Sequence, residues 1–197
     1  TLLQIFLNLG LVLCLNHSEI LTREEAHSSF VDVAYFENRF QASEYATNIA
    51  SYLVFWTGYH FFPEPGIFYG RFVKALVMAS VTPITFWLLH LRFKQPWQFS
   101  LLTALAIGLM PGLYWFSVLG IDIGLEVPFG MLAMLLATYP SLRCSFASGG
   151  ALAFSCLCYG AGLSFVLPVI WLLARHAQLW RRLLLAAVAG LLLLASA

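Results

Sequence analysis

Five long apolar runs constrain this chain more than any other feature; they begin near Gly66, Trp97, Ile121, Ser148 and Arg182. A hydrocarbon core of about 30 Å takes about 20 helical residues to cross. Backbone facing lipid must satisfy its own hydrogen bonds, which repeated runs of this length can do only as helices. The expected fold class is therefore all-α, a polytopic membrane protein. Composition points the same way: 61% of residues are hydrophobic and 10% charged, against roughly 25% charged in a soluble domain, and the mean hydropathy is +0.84. A net charge of +1 carries no footprint for nucleic acid, so the basic residues are read for topology instead.

Residues 1–15 read as a first span lacking its start rather than a signal peptide, because no basic n-region or clear small-residue cleavage site accompanies them. The sequence also stops inside LLLLASA. Together these features suggest the N-terminal half of a longer polytopic protein. Residues 16–65 hold the one long polar stretch, in which Glu19, Glu24, Glu25, Asp32, Glu37 and Glu44 face only Arg23 and Arg39. Such an acidic loop belongs outside under the positive-inside rule. Glu44 to His60 mixes aromatics with small polar residues and is expected to lie as an interfacial helix. Pro63-Glu64-Pro65-Gly66 ends it.

The bundle then occupies 66–197. A span over 66–91 exits in Arg92 and Lys94, one over 97–119 returns, and one over 121–139 descends to Arg143. A single span over 148–174 would put Arg175, Arg181 and Arg182 on the wrong side. A break at Tyr159-Gly160-Ala161-Gly162, making two short helices of about a dozen residues each, removes that conflict. The last span is expected over 182–197. Four cysteines supply no framework, since Cys156 and Cys158 would point about 200° apart on a helix; they read as small core residues.

Two acids interrupt the apolar sequence of WFSVLGIDIGLEVPFGMLAM: Asp122 and Glu126. A carboxylate in a span is a functional candidate by default. Four apart, the two are expected to share a helix face, as are Arg71 and Lys74, three apart.

The order of parts resembles the N-terminal half of a GT-C-fold glycosyltransferase, of the dolichyl-phosphate-mannose protein mannosyltransferase and lipid-A aminoarabinose transferase type. IGLEVPFGMLAMLLA is similar to that family's acid-led fourth span, with Glu126 where an aspartate is usual. GRFVKALVMASVTPITFWLLHLRF is similar to its second span, MPGLYWFS to the approach to the outer turn, and GAGLSFVLPVIWLLAR to a segment before a basic loop. Val118 and Phe165 stand where the family carries basic residues, and the first loop lacks its paired Asp-Glu.

The resemblance implies transfer of a sugar from a polyprenyl-phosphate donor at the extracytoplasmic face of a membrane, most simply a bacterial inner membrane. It assigns Asp32 as the base, with Glu37 and Glu44 behind it and Glu126 as a second catalytic acid. Arg71 and Lys74 would meet the donor phosphate. Asp122 and His60 would orient the acceptor, and Asp122 with Glu126 could hold a divalent cation through hard oxygen ligands. The alternative is a catalytically degenerate GT-C-like subunit of a larger membrane complex, favoured by the missing cations. A transporter built on the broken pair has no internal repeat to support it.

Overall fold

A computed structural model describes Leu2, Phe6, Leu7, Gly10 and residues 67–113 and 124–196, with the backbone alone for 67–71 and 196. Among the described residues every regular element is helical. We number the helices α1 (Ile67–Ala79), α2 (Val81–Trp87), α3 (Trp97–Gly108), α4 (Glu126–Ala137), α5 (Leu142–Cys158), α6 (Val166–Ala174) and α7 (Leu179–Ser196). A π turn, Leu88–Arg92, extends α2, and a 3₁₀ turn, Gly160–Phe165, precedes α6.

Proline placement explains several joints. Pro128 and Pro168 each stand third in their helix, α4 and α6, where the first N–H groups need no intrahelical acceptor, whereas Pro83, third in α2, interrupts a helix continuing from α1. Pro83 leaves the Ala79 carbonyl without its usual donor, and the α1–α2 junction falls there, at Ser80. The Ser80 hydroxyl turns back to donate to the Val77 carbonyl at 2.6 Å. Phe72–Arg92 is nonetheless continuous enough to form, by length and composition, a 21-residue helix able to cross a membrane, the one such helix among the described residues.

Side-chain contacts set the direction of each helix. Val77 packs on the cluster of Leu125 and Cys158, Ile84 and Leu88 cluster with Leu135, and Thr85 and Arg92 bond Met131 and Thr138, so α1 and α2 run parallel to α4. Helix α5 runs antiparallel to α4 and is tied to it at two levels. Ser148 Oγ donates to the Ala133 carbonyl at 2.8 Å, and Ser155 Oγ to the Glu126 carbonyl at 2.7 Å. Such interhelical hydroxyl bonds suit helices with few other polar contacts.

At Tyr159 the backbone becomes extended (φ −162°, ψ 144°), and Gly162 tucks against the carbonyl of Ser155, so close that a Cβ there would sit 2.5 Å from its oxygen. The chain then reverses. Val169, Leu172 and Leu173 of α6 pack on Ala133 and Ala137 of α4. The helix before this reversal is longer than the sequence suggests: α5 starts at Leu142 and has 17 residues, because nothing after Pro140 breaks it until Tyr159. Finally α7 runs parallel to α5, at a crossing of small residues where Gly149 meets Ala186 and Gly190 approaches Ala153. Small residues let helix backbones approach closely where no hydrophobic drive separates helix from solvent.

Three turns, 93–96, 138–141 and 175–178, consequently gather at one end of the bundle. Arg92, Lys94, Arg143, Arg175, Arg181 and Arg182 all stand in or beside them. The start of α4 marks the other end.

Candidate functional site

Helix α4 is polarised. Glu126 opens it, basic groups close it, and about 18 Å of apolar helix at 1.5 Å per residue separates Glu126 from Thr138. A carboxylate at a helix N-terminus and cations at its C-terminus both complement the helix dipole.

At the N-terminal end Gly124 adopts φ 102°, a left-handed conformation that only glycine takes without strain. Its N–H donates to Glu126 Oε2 at 2.8 Å, and Val127 N–H returns to the Gly124 carbonyl at 3.1 Å. Glu126 is 7% exposed. One turn of α1 before Val77, Lys74 has no exposed surface at all. Since Val77 packs on the cluster of Leu125 and Cys158 and α1 runs parallel to α4, Lys74 and Glu126 lie at the same end of the α1–α4 contact, and neither is without an interaction partner. Burying an ammonium or a carboxylate is expensive unless it is paired or hydrogen-bonded, so two of them in an apolar bundle mark this end as chemically distinct. Substituting Gly124→Ala is expected to destabilise the protein by about 1–2 kcal/mol through the left-handed penalty alone, read as a lowered unfolding midpoint in detergent.

Other expected site residues are not brought here by the described structure. Asp32, Glu37, Glu44, His60 and Asp122 lie outside the described residues, and Arg71 is described only as helical backbone. The expected shared helix face of Asp122 and Glu126 therefore falls in part outside the described residues. Within the described residues α4 begins at Glu126, and Gly124 before it is left-handed. Among the described residues, no three His, Cys, Asp or Glu side chains gather to hold a metal ion.

The opposite end holds groups whose chemistry the sequence reading missed, having used them only as topology markers. Arg92 Nε donates to Thr138 Oγ1 at 2.8 Å, its Nη2 donates to the Thr138 carbonyl, and its guanidinium lies 4.1 Å from the Tyr139 ring centroid. His176 Nε2 donates to the Ala137 carbonyl at 3.2 Å. Arg182, 6% exposed, donates to the carbonyls of Ala177 (2.9 Å), Tyr139 (3.3 Å) and Pro140, and to Ser145 Oγ (3.1 Å). The carbonyls at and just beyond the end of α4, which lack intrahelical donors, are thus capped by two arginines and a histidine from three other segments. The only signal for this in the sequence was the clustering of bases after each apolar run.

No family model, curated protein or solved structure matches this chain.

Proposed function

We propose that the chain is a multi-pass membrane protein, and that its Glu126 end forms the membrane-side wall of a GT-C-type site transferring sugar from a polyprenyl-phosphate donor. The membrane reading rests on large apolar side chains left on the exterior while several polar ones lie inside. The interior holds Lys74, Thr82, Thr85, Ser100, Ser148, Ser155 and Arg182, while Leu102, Leu163, Leu167, Leu184 and Leu191 are each more than 60% exposed. In water such an exterior would be an aggregation surface; in lipid it is the solvent-facing side. Trp87, Trp97, Trp171 and Trp180 are all exposed, and all stand near the basic end. That is where an aromatic belt and a cytoplasmic excess of bases belong, which leaves the Glu126 end facing outward.

The observation that carries the transferase reading is the presence of two buried charges, Lys74 and Glu126, at the outward end of the bundle. Ionisable groups kept at such depth usually serve a substrate or ion. Within this reading Asp32 supplies the base, Arg71 meets the donor phosphate with the buried Lys74 behind it, and a divalent cation is an optional partner of Glu126 and Asp122. One observation favours the second reading, a catalytically degenerate scaffold of a membrane complex: Glu126 already spends a carboxylate oxygen on the Gly124 N–H of its own turn.

Transfer of labelled sugar from a polyprenyl-phosphate donor by the full-length protein decides between them. The transferase reading expects measurable transfer, lowered about 100-fold or more in Glu126→Gln and in Asp32→Asn, with both variants keeping the helical circular dichroism of the parent. Absence of transfer with a panel of donors supports the scaffold. Equal rates in Asp32→Asn remove Asp32 as the base. The topology is tested separately with single cysteines at the exposed Ser141 and Ala161, in a background with the four native cysteines replaced by serine, probed by a membrane-impermeant thiol reagent in right-side-out vesicles. Labelling at 161 alone is expected, and labelling at 141 alone overturns the orientation.

A further inference from the structure

A cavity of about 720 Å³ opens at the basic end, between the 93–96 turn, the close of α4 and the turn from α6 to α7. Arg92, Lys94, Gln95, Arg175 and His176 supply its polar lining, and Trp171 is part of its apolar wall. Four basic side chains thus converge on one space.

Among the described residues they have no acid to answer them. Residues 65–121 and 127–197 contain neither Asp nor Glu, and Glu126, the one described carboxylate, lies at the far end of α4, about 18 Å away. Their hydrogen bonds also leave capacity unused. Arg92 spends Nε and Nη2 on Thr138 and keeps the N–H groups of Nη1. Arg175 rests its guanidinium 4.9 Å from the Trp171 ring centroid without donating to a protein acceptor among the described residues, and Lys94 likewise has none. A surface cation costs nothing when solvated alone, but several like charges around one cavity repel each other unless an anion joins them. The guanidinium fork matches phosphate oxygens in particular.

Lys94 strengthens the case from the backbone. It adopts φ 59°, a conformation in which a side chain other than Gly or Asn is strained. The turn therefore carries a lysine where glycine would be easier, and the lysine lines the cavity.

We propose that this cavity binds a phosphate group, and that its source is the headgroup of an anionic lipid. Trp171, 57% exposed, and its Arg175 partner stand where an amphipathic ring and a basic group meet the headgroup level. The apolar wall at Trp171 would take the glycerol and first acyl carbons while Arg92, Arg175 and Lys94 hold the phosphate. This proposal rests on the membrane reading given above and is independent of the transferase reading, since it concerns the opposite end of the bundle.

The test uses the full-length protein in nanodiscs of phosphatidylcholine alone or doped with phosphatidylglycerol, with bound lipid counted by native mass spectrometry. Lys94→Asn and Arg175→Gln are combined, because both side chains are exposed and cap no helix, and Asn also accepts the left-handed backbone. Retention of phosphatidylglycerol over phosphatidylcholine by the parent, falling about tenfold or more in the double variant at unchanged thermal midpoint, is the expected result. A second arm titrates inorganic pyrophosphate into phosphatidylcholine discs and follows Trp fluorescence. Saturable binding there, lost in the double variant, keeps the phosphate site and reassigns its source to a soluble ligand. Equal behaviour of parent and variant in both arms overturns the proposal. If the protein fails to enter discs at all, the membrane reading falls, and the pyrophosphate titration of the soluble chain still decides whether the cavity takes phosphate.

Discussion

Gly149→Ala is expected to destabilise the protein by about 3 kcal/mol, the upper range for overpacking, whereas Gly150→Ala at the next position is expected to stabilise it by up to about 1 kcal/mol. Helix propensity alone favours alanine over glycine by about 1 kcal/mol at both sites. The tertiary contact reverses the sign at one of them. A Cβ on Gly149 would lie 2.0 Å from the Ala186 carbonyl oxygen and 2.5 Å from two more backbone atoms of that residue, while a Cβ on Gly150 meets nothing within 4 Å. The obstacle at Gly149 is backbone, which cannot rotate aside, so relief requires α7 to move off α5. Loss of that contact would also draw Arg182, which sits one turn earlier on α7, away from Ser145. Chemical unfolding in detergent micelles checks both variants; equal midpoints would mean that α5 and α7 do not cross at Gly149.

The second large effect is expected at Arg182. Arg182→Met keeps much of the buried stem but removes donors from three carbonyls and one hydroxyl. Leaving buried acceptors without donors costs about 1–3 kcal/mol each where water cannot replace the donor, so a total loss of about 3 kcal/mol or more is expected. Arg181→Met, on the exposed side of the same helix, should fall within about 0.5 kcal/mol of the parent. Arg182→Lys recovers only part of the loss, since an ammonium on a flexible stem lacks the planar fork that spans these acceptors. A comparable loss from both arginines, measured by the same unfolding experiment, would show that general charge at this end matters and that the specific cap does not.

These two pairs show where local reading stops. The break after α5 was accessible locally, because Gly160 and Gly162 follow a helix that has no reason to end earlier. The prolines at positions 83, 128 and 168 punctuate the chain for equally local reasons. The charge asymmetry was accessible too: bases follow each run at 92–94, 143 and 175–182, and acids do not. Among the candidate site residues, Glu126 was noticeable because a carboxylate in apolar sequence is conspicuous, and Lys74 because it stands in a run of the same kind. That Lys74 has no exposed surface, and that the Gly124 N–H engages Glu126, depends on how α1 meets α4 and on a single left-handed residue. The basic cavity was hidden for a plainer reason. Arg92, Lys94, Arg175 and His176 come from segments some eighty residues apart, and each looks locally like an ordinary basic flank.

Sequence alone determined that this chain is helical, that the chain breaks after Cys158, and that bases and acids sort to different segments. These follow from apolar run length, from proline and glycine, and from counting charges, all of which act within a few residues. Only the tertiary structure decided which of two adjacent glycines touches backbone, which of two adjacent arginines caps α4, and which cations face one cavity. Neighbours in sequence point about 100° apart on a helix, so identical residues side by side meet entirely different surroundings, and those surroundings are supplied by helices distant in the chain.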